Sequence, residues 1–124
     1  MKEKLIKLLN NSYSPYSNYR VAAIVRMKDG KEFSGVNIEN SSYGACICAE
    51  RSAIASSISS GYKKGDFDKL YVMCGDSNKI STCCFIENDE IICMDKLGNE
   101  LKLKVKDLCP YPFTEDDLKW KVDL

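Results

Sequence analysis

Leu70-Tyr71-Val72-Met73-Cys74 closes the segment Phe67 to Cys74 with an unbroken apolar run, and a run of that length reads as a buried strand. Upstream, Ala49 to Ser60 sets Ala49, Ala53, Ile54 and Ile58 at helical spacing before Gly61 ends the pattern. Downstream, Glu90 to Asp95 reads as a second strand, and Lys96-Leu97-Gly98-Asn99 as a turn into the strand-like Glu100 to Val105. Further out, Lys2 to Asn10 gathers Leu5, Ile6, Leu8 and Leu9 on one side of a helix with lysines on the other. Tyr19 to Met27, the turn Lys28-Asp29-Gly30-Lys31 and Glu32 to Val36 read as a β-hairpin. Cys109-Pro110-Tyr111-Pro112-Phe113 is rigid and aromatic, and Thr114 is placed to cap a short final helix. Helix and strand signals alternate, which favours an α/β sandwich with a sheet covered by helices.

At 124 residues, with 44% hydrophobic and 29% charged residues, the chain can bury one ordinary core, so residues 1–124 are expected to form a single domain. Lys plus Arg equals Asp plus Glu at 18 each, so no positive field gathers a phosphate backbone, and a nucleic-acid polymer is not an expected partner. The start, Met1 to Leu9, interleaves lysines with apolar residues and does not read as a signal peptide, and a membrane is not an expected partner. A cytoplasmic location is the expectation. Seven cysteines, an odd number, argue for reduced thiols rather than a disulfide framework. Cys74 and Cys93 lie in apolar runs and read as core. Histidine is absent, which excludes His-based triads and imidazole metal ligands; any metal would be held by sulfur or carboxylate.

Cys48-Ala49-Glu50-Arg51 places a thiol two residues before a carboxylate where loop becomes helix. Alone this is also how a buried thiol beside a capping glutamate would look. Its context is more specific. Tyr13-Ser14-Pro15-Tyr16-Ser17-Asn18-Tyr19, then Gly35-Val36-Asn37-Ile38-Glu39-Asn40-Ser41-Ser42-Tyr43-Gly44, then Ile47-Cys48-Ala49-Glu50-Arg51, and finally Leu108-Cys109-Pro110-Tyr111-Pro112-Phe113 resemble, in order and spacing, the small homotetrameric cytidine deaminases over nearly the whole chain.

The resemblance implies a cytidine deaminase-like α/β fold, a three-layer sandwich of a mixed central β-sheet flanked by helices. It implies a zinc ion held by three cysteines, with Cys48 the first ligand and Glu50 the proton shuttle in a hydrolytic deamination. Arg51 is placed to offset the negative charge of the thiolates, or else is a solvated helix arginine. Asn37 and Glu39 match the positions that hold the ribose, reading a pair of hydroxyls. Tyr19 matches the aromatic against which the base packs, and Ala49 the backbone that meets the pyrimidine edge. Tyr43 and Phe113 match residues that complete neighbouring sites in a homotetramer.

One part of the pattern is contracted. Where relatives carry Pro-Cys-x-x-Cys-Arg-Gln, this chain has Thr82-Cys83-Cys84-Phe85, running almost at once into the next strand, with about ten residues fewer, close to one helix of mean length. Cys83 aligns with one ligand. Cys84 is either the third ligand or a residue from beyond a segment missing between Thr82 and Phe85, and Cys46 is a further candidate. Adjacent residues in an extended chain point to opposite faces, so convergence of Cys83 and Cys84 on one ion requires an unusual backbone. The resemblance implies a zinc-dependent deaminase of cytidine and deoxycytidine in pyrimidine salvage. Its alternative is a catalytically inactive relative that binds nucleosides or serves as an assembly subunit.

Overall fold

The computed structural model describes residues 1–75 and 90–103. Its strands are β1 (Val21–Met27), β2 (Glu32–Val36), β3 (Phe67–Cys74), β4 (Glu90–Met94) and β5 (Glu100–Leu103), and its helices α1 (Lys2–Leu9) and α2 (Ala49–Ser59), with a 3₁₀ turn at Tyr43–Ala45. The strands form one sheet in the order β2-β1-β3-β4-β5. Only the β3/β4 pair is parallel, aligning Val72 with Cys93; the other three are antiparallel, which makes the sheet mixed.

The apolar runs are explained by two cores that share the same strands. Ala23 and Val25 of β1, Leu70 and Val72 of β3, and Ile91 and Cys93 of β4 face Ala49 and Ala53 of α2. The residues between them, Ala22 and Ile24, Tyr71 and Met73, Ile92 and Met94, face Leu5 and Leu9 of α1. Successive side chains of a strand point to opposite faces, so a strand covered on both sides needs apolar residues at every position. The helices therefore lie on opposite faces, giving the three layers expected.

At 8 residues α1 is too short to be stable alone. Leu5 and Leu9 are fully buried, and each contributes about 1.5–3 kcal/mol by leaving water. Ile6, expected on the same face, is instead 38% exposed, because the helix turns it past the sheet. The expected hairpin is present, Gly30 taking a left-handed φ of +92° at its turn. The thiols of Cys74 and Cys93 are buried as expected. Lys104, Val105 and the helix expected after Thr114 lie outside the described residues.

β2 presses unusually close to α2. At Gly35 an added Cβ would stand 2.3 Å from the Ala53 nitrogen and 2.4 Å from the Ala49 carbonyl oxygen, both backbone atoms. Only glycine allows that approach. It fixes the height of the first turn of α2, which carries Cys48 and Glu50, above the sheet.

Candidate active site

Ile38 ties three segments together at one end of the sheet. It bridges Tyr13 in parallel and Ile47 in antiparallel fashion. Its amide donates to the Ile47 carbonyl at 2.9 Å and its carbonyl accepts the reciprocal bond at 2.9 Å, while the next amide, Glu39, donates to the Tyr13 carbonyl at 2.8 Å. The segments surround a cleft of about 860 Å³ whose lining includes Tyr16, Ser17, Asn37, Glu39, Tyr43, Cys46, Cys48 and Arg51. Residues from three separate motifs thus meet at one cavity.

Asn37 has a fixed orientation. Its Oδ1 accepts the Val21 amide at 2.9 Å and the Ser12 hydroxyl, and its Nδ2 donates to the Tyr19 carbonyl at 2.7 Å. A backbone N–H can only donate and a carbonyl can only accept, so the amide is not reversible. One Nδ2 hydrogen remains. Glu39 is held similarly: Oε1 accepts the amides of Tyr16 and Ser17 at 3.1 and 3.0 Å, and Oε2 accepts the Ser17 hydroxyl. The Ser17 hydroxyl first, and then the two amides, hold this carboxyl below its ordinary value, although burial acts the other way.

In the same lining Cys48 is the N-cap of α2, with an extended backbone (φ −75°, ψ 159°). Its carbonyl accepts the Ser52 amide at 3.1 Å. The positive end of a helix favours a thiolate at that position. Cys46 lines the same cleft but its sulfur is engaged by Asn40, accepting that residue's amide at 3.3 Å. Ala49 is fully buried and Glu50 is 5% exposed. Among the described residues no group hydrogen-bonds the Glu50 carboxylate. Its neighbourhood is apolar and sulfur-bearing: burial first, then the charges of Cys74 and Glu50, push the Cys93 thiol up to about 11. A buried carboxylate without a partner is costly and calls for a ligand.

The comparisons with known proteins agree with this geometry. A family model described as the cytidine and deoxycytidylate deaminase zinc-binding region matches residues 1–98. The chain belongs to that family. A probable cytidine deaminase from Dictyostelium discoideum is 35% identical over 133 residues, covering 98% of this chain and 89% of the relative. A Mycoplasma genitalium cytidine deaminase is 40% identical over 82 residues, 66% of this chain and 61% of its own length. The crystal structure of a Burkholderia pseudomallei cytidine deaminase superposes with a TM-score of 0.78 at 31% identity, covering 91% of this chain and 99% of that one. The deaminase fold expected from the sequence is the fold observed.

Within this family member, Asn37, Glu39, Tyr43, Cys48 and Arg51 line one cleft, as do Tyr16 and Ser17, which the sequence reading did not single out. Tyr19, 37% exposed, is joined to that lining through its backbone. Cys83, Cys84 and Phe113 lie outside the described residues. Among the described residues no three His, Cys, Asp or Glu side chains converge as a metal site. The donor chemistry of the described part nevertheless suits zinc: a thiol at a helix N-terminus beside an unsatisfied buried carboxylate. Among the described residues no helix is long and apolar enough to cross a membrane.

Proposed function

We propose that this chain is a zinc-dependent hydrolase that converts cytidine and deoxycytidine to uridine and deoxyuridine, serving pyrimidine salvage in the cytoplasm. The observation that carries the reading is Glu50, 5% exposed and without a hydrogen-bond partner among the described residues, in the first turn of the helix that Cys48 caps. Zinc, held by Cys48 with Cys83 and Cys84, would when bound lower the pKa of a water to about 7. Arg51 offsets the charge of the three thiolates.

Glu50 moves the protons. It takes one from water as the water oxygen bonds to C4 of the pyrimidine, and delivers it to N3; the second water proton reaches the amino nitrogen, the C4–N bond breaks and ammonia leaves. Ala49 offers backbone groups to the pyrimidine edge, and Tyr19 packs against the base. The free valences of Asn37 and Glu39 suit a sugar: one hydrogen on Asn37 Nδ2 and one acceptor site on Glu39 Oε2. A group that accepts from one and donates to the other is a hydroxyl. The pair is read as holding the sugar's hydroxyls, and it leaves ribose and deoxyribose undistinguished. Tyr43, 93% exposed, and Phe113 complete neighbouring sites in a homotetramer.

A second reading, an inactive relative that binds nucleosides or serves as an assembly subunit, is favoured by the contraction at Thr82-Cys83-Cys84. The match to the Dictyostelium relative runs over 133 residues, longer than this 124-residue chain, so that relative has residues without a counterpart here. Zinc content and the ultraviolet change on incubation with cytidine decide between the two. About one zinc per chain with turnover supports the enzyme; zinc without turnover sinks it.

A further inference from the structure

Ser17 stands where the walls of the cleft join. Its hydroxyl donates to Glu39 Oε2 and accepts the Tyr19 amide at 3.0 Å. A hydroxyl has one proton, and a backbone amide can only donate, so the direction of both bonds is fixed. Asn18 adopts a left-handed φ of +55°, and its amide returns to the Ser14 carbonyl at 3.0 Å. In the turn just before it, the Tyr16 and Ser17 amides donate to the same Glu39 oxygen. Successive amides gathered on one carboxylate form an anion nest, here filled by the chain's own side chain. Tyr19 is gripped from both sides, its amide by Ser17 and its carbonyl by Asn37.

We propose that Ser17 is a positioning residue for the nucleoside: its hydroxyl holds Glu39 toward the sugar and, through the Tyr19 backbone, sets the ring against which the base packs. The proposal rests on the deaminase reading for its ligand. Its geometry does not. Oε1 of Glu39 is filled by two amides, and Ser17 fills one position of Oε2, so the acceptor left for a ligand has a defined direction. Without the hydroxyl the carboxylate gains a second vacant position and can rotate, while the Tyr19 amide loses its acceptor. Binding suffers and proton transfer at Glu50 does not.

The test compares Ser17→Ala and Ser17→Thr with the unaltered protein. KM and kcat are read for cytidine and for 3′-deoxycytidine, and the Glu39 carboxyl is titrated by carbon-13 NMR without ligand. The other titratable or charged groups on the cleft are Tyr16, Tyr43, Cys46, Cys48 and Arg51. Loss of one charge-assisted bond predicts that Ser17→Ala raises KM for cytidine roughly tenfold, with kcat changed less than about twofold. The penalty shrinks with 3′-deoxycytidine if that hydroxyl is the one read. The Glu39 titration moves upward, and Ser17→Thr restores both readouts.

A Glu39 titration unmoved by Ser17→Ala overturns the proposal, as does a fall in kcat with KM unchanged. Should the unaltered protein show neither turnover nor binding of cytidine, the deaminase reading fails, and the titration alone then decides whether Ser17 holds Glu39.

Discussion

Asn37 and Glu39, which line the cleft, are held by hydrogen bonds from the chain itself, whereas Glu50, buried two residues after the cleft-lining Cys48, is a carboxylate without a hydrogen bond among the described residues. Asn37 and Glu39 are each held by three hydrogen bonds from Ser12, Tyr16, Ser17, Tyr19 and Val21. Glu50 is more deeply buried than either and has none among the described residues. The pair is finished by folding; Glu50 waits for what binds. A hydroxyl is recognised by donors and acceptors fixed in advance, while a proton carrier must keep its lone pairs available for the atoms that react.

The largest expected effect tests that contrast directly. Glu50→Gln keeps the shape of the side chain and removes its basicity, so turnover of cytidine should fall by about 10³-fold or more, within the range that a positioned acid-base group supplies. Thermal stability should rise or stay level, because an uncompensated buried charge has been exchanged for a neutral amide. Melting curves without ligand check this. A marked loss of stability would mean that Glu50 has a structural partner, and the comparison with Asn37 and Glu39 would collapse.

Gly35→Ala should have the next largest effect. The new methyl would meet the Ala49 carbonyl at 2.4 Å and the Ala53 amide at 2.3 Å, and backbone cannot rotate away as a side chain does. Overpacking of this kind costs about 1–3 kcal/mol. Because the strain falls on the first turn of α2, zinc affinity and turnover should fall while the Glu39 titration stays where it is. Equal disturbance of both would show that the two carboxylates are not placed separately. Chemical denaturation and metal titration on the same preparation give the two readouts.

The sheet was legible in the sequence because burial on both faces removes polar residues from whole strands. Phe67–Cys74 reads correctly to the residue, and Glu90–Met94 to within one. The site was legible in part. Cys48 and Glu50 stand out by local spacing, but the burial of Glu50 follows only once α2 packs on the sheet through β1, β2 and β3. The bonds that fix Asn37 come from Ser12, Tyr19 and Val21, 25, 18 and 16 residues away, at positions where serine or tyrosine could equally be plain loop. Gly35 looks in sequence like a weak point of a strand. Its meaning lies in the helix backbone that crosses it.

The smallest effect separates the two carboxylates by stability. Glu39 has its pKa depressed in the folded protein, chiefly by the Ser17 hydroxyl. A depressed carboxyl contributes stability above its unfolded value, and that contribution is lost as the pH falls through the folded value. Glu39→Gln should therefore lower the melting temperature slightly at neutral pH. The gap from the unaltered protein should close in acid, once Glu39 itself is protonated. Glu50→Gln should leave the melting temperature level or raise it, since that buried carboxylate has no hydrogen bond among the described residues. If both substitutions destabilise alike, the unsatisfied carboxylate is no different from the satisfied one, and burial alone would not mark Glu50 as the group that meets substrate.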